Sequence, residues 1–374
     1  MKKLSFAIIG CGRISYKHID AIIENNDLAR LIATCDIVID KAHARSKEYL
    51  EKLQKKITDK DCDLTTPLVC DDYKYILANK DIDIVSICTE SGKHAEIAIE
   101  ALKSGKHVLV EKPMALSTKD ADEMIYLAKS KNLKLGVCHQ NRFNPPIQEL
   151  RQAIDEGRFG KIFAVTARIL WNRNKEYYTQ ASWRGTFDQD GGCLMNQCIH
   201  NIDLLQWMVG QPIKEINGLV NNYTHPYIQA EDYGSIQLEF IDGTIGNIEG
   251  TVVTYPQNLE ETLTVLGEKG TVVIGGKAVN EILVWNFEDR KDDLNNVLQS
   301  FDNKIENIYG NGHIPLYTDF MNSIKEDTEP LINGKEGKIA MSIILHSYLS
   351  SKYKKRVKFD INNIMLTKQG VKEI

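Results

Sequence analysis

A short apolar run that stops on glycines limits what this chain can fold into. Leu4, Phe6, Ala7, Ile8 and Ile9 read as a buried parallel strand, which is covered on both faces and loses polar alternation. The run breaks at Gly10-Cys11-Gly12-Arg13-Ile14-Ser15, and a helical pattern through Ile14, His18, Ala21 and Ile22 follows at once. Strand, glycine turn and helix form the first unit of a dinucleotide-binding sheet. The glycines permit the tight turn, and amides at the helix start approach a pyrophosphate. Glycine turns also close ordinary corners, and Ser15 stands where the fingerprint has its third glycine. Serine is still small enough for the close helix–strand packing which that position serves. The next strand, 28–35, ends at Asp36, about twenty residues beyond the glycines, where a carboxylate accepts both hydroxyls of an adenosine ribose. Ile37, Val38 and Ile39 bring no cation for a 2′-phosphate, so the pattern favours NAD over NADP; the alternative is Asp36 as a turn residue.

At 374 residues the chain exceeds the usual reach of one hydrophobic core, and two domains are expected. The net charge is −5 with no basic stretch, which argues against nucleic acid as a partner. The apolar runs are strand-length, so no membrane span is expected. The run after Met1-Lys2-Lys3 stops at Gly10 with no cleavage site, and a cytoplasmic location is expected. Cys11, Cys35, Cys88 and Cys138 sit in or beside apolar strands as small hydrophobes. No His/Cys spacing resembles a zinc site, so no metal is expected.

Strands at 82–88, 107–110 and 134–138 alternate with helices at 40–56, 71–79, 95–103 and 118–131; a polar stretch at 58–67 reads as a surface excursion. Such alternation predicts a parallel Rossmann sheet over residues 1–140, with ligands beyond the carboxyl ends of its strands. Gly10, Gly12, Arg13, Ile14, Asp36, the Thr89–His94 turn, Glu111-Lys112-Pro113 and Gln140 all fall at those ends. Residues 141–374 change character: a long strand at 161–171 precedes strands at 213–223, 232–240, 244–254, 261–266 and 271–274. Hairpin signals at Asp242-Gly243 and Gly267-Glu268-Lys269-Gly270 predict an open, mostly antiparallel sheet. Helices at 192–209, 315–325 and 337–353 would cover one face and leave the other for a subunit contact, hence a homo-oligomer, dimer or tetramer.

Two stretches carry chemistry. Lys112 follows a buried strand and precedes Pro113; beside an oxidised nicotinamide its ammonium would lose basicity and become a proton shuttle, whereas the alternative is a surface lysine opening a loop. In Gly191 to Asp203, Asn196, His200 and Asp203 fall at helical offsets on one face. His200 would take a proton from a hydroxyl and Asn196 would bond the same sugar; the alternative is a structural histidine.

These residues carry a resemblance. Gly10-Cys11-Gly12, Ser104-Gly105-Lys106-His107-Val108-Leu109-Val110-Glu111-Lys112-Pro113, the 191–203 helix, Tyr317-Thr318-Asp319-Phe320 and Glu336-Gly337 resemble the glucose–fructose oxidoreductase and inositol dehydrogenase family. The resemblance implies a Rossmann domain followed by an α/β domain with an open sheet. It also implies NAD(P)-dependent chemistry at a sugar or cyclitol hydroxyl, with Lys112 and His200 beside the reacting carbon. Many members carry aspartate where this chain has Asn196, which leaves the base open between Lys112 and His200, with Asn196 and Lys112 holding the developing alkoxide. Asn141-Arg142-Phe143-Asn144-Pro145, Trp171-x-Arg173, Tyr177-Tyr178 and Trp183-Arg184-Gly185 are similar to one subgroup, the UDP-N-acetylglucosaminuronate 3-dehydrogenases of bacterial surface-polysaccharide synthesis. A nucleotide sugar needs fixed cations and flat surfaces: Arg142 and Arg173 would supply bidentate donors, and Trp171, Tyr177 and Tyr178 would stack or bond hydroxyls. Sheet packing is the alternative for these aromatics. Trp183 and Arg184 are placed on the cofactor side by resemblance alone, as is recycling of bound NAD by 2-oxoglutarate; the keto sugar then passes to an aminotransferase. Oxidation of a free sugar or cyclitol, and a non-catalytic NAD-binding role, remain the competing functions.

Overall fold

The computed structural model describes residues 3–57, 65–276, 278–298, 310–359 and 362–374. The polar excursion expected at 58–67 lies mostly outside them. The chain forms two compact units: Met1–Ala115 with Asp120–Cys138 and His313–Lys338, and Leu116–Lys119 with His139–Gly312 and Ile339–Ile374.

In the first unit β1 (Leu4–Ile9), α1 (Ser15–Glu24), β2 (Ala29–Cys35), α2 (Ile39–Lys56), β3 (Leu68–Cys70), α3 (Tyr73–Ala78), β4 (Ile84–Ile87), α4 (Ser91–Lys103), β5 (His107–Val110), α5 (Thr118–Ser130) and β6 (Leu135–Val137) follow in turn. All neighbours pair in parallel, in the order β3-β2-β1-β4-β5-β6. The order reverses between β1 and β4, where doubly wound sheets open a ligand crevice. Phe6, Ala7, Ile8, Ile84, Val85, Val108 and Val110 are fully buried, which accounts for the unbroken apolar runs. β3 has three residues, too few for a period to show in the sequence. The helix His313–Glu326 was expected over the antiparallel sheet, but it belongs here. Thr318 Oγ1 donates to Asn25 Oδ1 at 2.7 Å, and the Tyr317 ring stacks on Phe6 at 5.3 Å.

The second unit contains α6 (Pro145–Asp155), β7 (Ile162–Leu170), α7 (Lys175–Thr179), α8 (Ile199–Val209), β8 (Ile213–Asn221), β9 (Tyr233–Phe240), β10 (Ile245–Thr251), β11 (Glu260–Gly267), β12 (Gly270–Gly275), β13 (Glu281–Phe287) and β14 (Val357–Lys358). Its sheet runs β13-β12-β11-β7-β10-β9-β8-β14. The two hairpin signals hold, joining β9 to β10 and β11 to β12, both antiparallel. β8 and β13 extend the two hairpins antiparallel, and the series breaks between β10 and β11, where β7 inserts and pairs with β10 in parallel. The result is a mixed, mostly antiparallel sheet. One face buries Val165, Ala167 and Ile169; the other shows Arg168 between Glu249 at 3.1 Å and Glu260 at 2.8 Å, with Ile245 and Leu266 exposed. Among the described residues no helix is long and apolar enough to cross a membrane.

Candidate active site

Each unit carries half of the candidate residues. In the first, the glycine turn fits a dinucleotide. A Cβ on Gly10, whose φ is +90°, would stand 2.6 Å from the Cys88 and Thr89 backbone. A Cβ on Gly12 would meet nothing within 4 Å, and Ser15 is fully buried under the turn. Asp36 Oδ2 accepts the Cys11 N–H at 2.8 Å and its Oδ1 accepts that of Val38 at 2.8 Å, so the carboxylate is already fixed beside the turn. Arg45 clasps the same turn, donating to Ser15 Oγ at 2.8 Å, a contact that no local pattern foretells. Arg13 is exposed, and Ile14 and Thr89 are half-buried.

Two residues placed on the cofactor turn inward instead. His94 is buried, its ring nitrogens 2.8 and 3.0 Å from the carbonyl oxygens of Pro113 and Thr89, and so it ties two strand-end loops together. Glu111 is buried as well: Oε1 accepts from His18 Nε2 at 3.0 Å and from His313 Nε2 at 3.1 Å, while Oε2 accepts the Lys112 N–H at 3.2 Å. The Tyr317 hydroxyl is hydrogen-bonded to Ser86 at 2.7 Å and to His18 Nδ1 at 2.7 Å. Burial alone would raise the Glu111 carboxyl, but hydrogen bonds from His18 and His313 outweigh it and hold the group well below the usual range. Glu111 thus acts on Lys112 through its backbone rather than on a cofactor. The Lys112 side chain is half-buried.

In the second unit the 192–209 helix opens with a π turn, Leu194–Cys198, before α8. π turns mark functional sites often, and nothing in the local pattern reveals this one. Asn196 and His200 are both half-buried, with His139 edge-on to His200 at 5.7 Å. Asp203 follows one turn after His200 in α8. It is buried against Arg142, which donates through Nε at 2.7 Å and Nη2 at 2.6 Å and lies 4.9 Å over the Trp207 ring. Arg142 is fully buried, so its fork is spent on Asp203 and not on a substrate.

Arg173 lies 4.7 Å over Trp171 and 5.3 Å over Tyr177. Arg184 stacks on Tyr177 at 4.3 Å and on Trp183 at 4.5 Å, and donates to the Tyr177 hydroxyl at 2.6 Å. Gln197 Nε2 donates to the same hydroxyl at 3.0 Å. Two guanidinium groups therefore flank one ring beside the π turn. Tyr178 faces away, buried among Tyr177, His225 and Tyr227, which is the packing role and not a substrate contact. Gln140 is buried too. Asp190, which no spacing rule singled out, accepts from Asn196 Nδ2 and from the Gly185 N–H at 2.6 Å.

Two further carboxyls sit in this unit's core. Burial pushes Glu231 and Glu261 each up to about 8. Unfolded, such groups release their proton near 4.5, so between about 4.5 and 8 the unfolded state binds fewer protons and stability falls as pH rises. Glu111 has the opposite sign and acts below 4.5. Glu231→Gln should therefore gain stability relative to the parent protein between about pH 5 and about pH 8, by several kcal/mol. Equal differences in melting temperature at the two pH values would refute this assignment.

A parallel sheet with this glycine turn and carboxylate defines an NAD-dependent oxidoreductase. Residues 4–139 match the oxidoreductase family with NAD-binding Rossmann fold, and residues 147–273 match the GFO/IDH/MocA C-terminal domain. The chain belongs to the GFO/IDH/MocA oxidoreductase family. It is similar to the WlbA dehydrogenase of Bordetella pertussis, solved with NADH and UDP-GlcNAcA: 35% identity, 96% of this chain and 98% of that one covered, TM-score 0.80. The Chromobacterium violaceum WlbA, solved with the same ligands, gives 34% identity, 96% coverage of each chain and a TM-score of 0.82. The myo-inositol 2-dehydrogenase of Thermotoga maritima is 24% identical, over 96% of this chain and 99% of its own length.

Proposed function

We propose that this enzyme oxidises the 3-hydroxyl of a UDP-linked N-acetylated sugar, a uronate above all, to a 3-keto sugar with NAD, in surface-polysaccharide synthesis in the cytoplasm. The observation that carries the reading is the Arg173–Tyr177–Arg184 stack beside the π turn. Fixed cations on a flat ring suit an anionic nucleotide sugar, whereas a neutral cyclitol has no use for them. Similarity to the WlbA enzymes along nearly the whole chain supports it.

Bound NAD supplies the hydride acceptor. Lys112 or His200 takes the hydroxyl proton, and the ammonium of Lys112 steadies the oxygen as negative charge develops on it. Arg173 and Trp171 hold the charged end of the substrate, and Arg184, beside Tyr177, serves the cofactor side as the family resemblance implies. Homo-oligomers form through the outer face of the mixed sheet.

The test is reduced-nicotinamide absorbance with purified protein and a panel of UDP-N-acetylglucosaminuronate, UDP-N-acetylglucosamine, free hexoses and myo-inositol, each with and without 2-oxoglutarate. Turnover should require the UDP group. Turnover of inositol or a free hexose at equal or higher kcat/KM defeats the reading in favour of a free-sugar dehydrogenase. No turnover of any kind, with NAD still bound, favours a non-catalytic role.

A further inference from the structure

The Asn196 amide is held by a buried carboxylate. Asn196 Nδ2 donates to Asp190 Oδ1, while Asp190 Oδ2 takes the Gly185 N–H at 2.6 Å. Asp190 is 2% exposed and Asn196 is half-buried, so the contact is anchored on its inner side. The anchor is itself closed: the Asp190 and Gly191 N–H groups both donate to the Thr186 carbonyl, at 3.2 and 3.0 Å.

We propose that Asp190 is a positioning residue: it fixes the Asn196 amide with its NH2 inward and its carbonyl oxygen turned away from Asp190. One of the two amide hydrogens is spent on Asp190, so the clamp sets the orientation in which Asn196 meets the sugar. The orientation runs one way only. An ionised carboxylate is an acceptor, and a flipped amide would set two acceptors against each other in a buried place. The same contact explains the asparagine: an acid at position 196 would meet Asp190, and two carboxylates in contact cannot both ionise. This inference rests on the sugar-oxidising reading for its kinetic part alone.

Three variants test it: Asp190→Asn, Asn196→Asp, and the exchange of both. Tyr177, Tyr178 and Glu231 feel the Asp190 charge, and Arg184 reaches it through Tyr177. Glu231 titrates in all four proteins, so differences among them carry the information. Asp190→Asn should lower kcat/KM by about 10- to 100-fold, as the loss of an orienting partner does elsewhere, with NAD affinity unchanged. Asn196→Asp should add one ionisation to the pH profile of kcat/KM, and the exchange should remove it and recover most of the rate. The pH dependence of melting reads the same added ionisation without any substrate, so the clamp is tested even if the substrate reading fails. Asp190→Asn with unchanged kcat/KM, or an added ionisation that survives the exchange or never appears, overturns the proposal.

Discussion

Lys112→Ala is expected to cut kcat by about 10³-fold or more and to leave NAD affinity within about threefold. Lys112 follows β5 directly, and its backbone N–H is held by a carboxylate that two buried histidines fix in place. Its position is therefore set by the core of the first unit and not by a loose loop. Lys112 has two tasks in the proposed reaction: its neutral amine takes or relays the hydroxyl proton, and the ammonium so formed steadies the oxygen. General acid–base help is worth about 10² to 10⁴, and a factor of 10³ is about 4 kcal/mol of barrier. On the proposed reading the glycine turn and Asp36 hold the adenosine end of the cofactor, so binding and turnover should separate. The side chain is half-buried, and its truncation should shift melting by only a few degrees. His200→Ala is the companion variant. If Lys112 is the base, its loss costs more than that of His200, and the double variant falls well short of the product of the two. A Lys112→Ala enzyme that keeps a tenth of the parent kcat sinks the assignment.

What the sequence showed and what it hid follow from how far apart the partners lie. The β1–turn–α1 unit is legible because its determinants are contiguous: a strand buried on both faces must be a run of apolar residues, and the turn must be small. The place of Asp36 at the end of β2 is legible for the same reason. Arg142 is not, since its carboxylate is Asp203 and nothing near position 142 distinguishes a buried fork from one waiting for a phosphate. Glu111 misleads in the same way. Its donors come from positions 18 and 313, so a strand-end carboxylate looks like a ligand contact until the helix His313–Glu326 is seen against the Rossmann sheet. The π turn at Leu194–Cys198 carries no period of its own, so an ordinary helical count misjudges where Asn196 stands relative to His200 and Asp203, which both lie beyond it in α8. The β7–β10 pairing joins strands about eighty residues apart, which hairpin signals cannot anticipate.

The second large effect should come from a single methyl group. Gly192→Ala is expected to destabilise the second unit by about 3–5 kcal/mol. Gly192 has φ of +90°, a region that alanine enters only at a cost, and its Cβ would stand 2.0 Å from Glu231 Oε2. That carboxyl has little room to yield: Oε1 accepts the Leu194 N–H at 2.8 Å and lies 2.7 Å from the Tyr348 hydroxyl. Backbone strain of about 1–3 kcal/mol and overpacking of a similar size act together. Because Leu194 begins the π turn, the damage should reach Asn196 before the unit melts, so kcat/KM should fall below the melting range. Gly12→Ala makes the contrast. Its Cβ meets nothing within 4 Å, so melting should hold while NAD affinity drops, the vacant space being where a pyrophosphate approaches. Adding Glu231→Ala to Gly192→Ala separates the two costs, since it relieves the collision and leaves the strained φ untouched. Partial recovery of melting in that pair is the expected outcome. No recovery at all would mean that the backbone conformation, and not the carboxyl packed against it, is what requires glycine at this position.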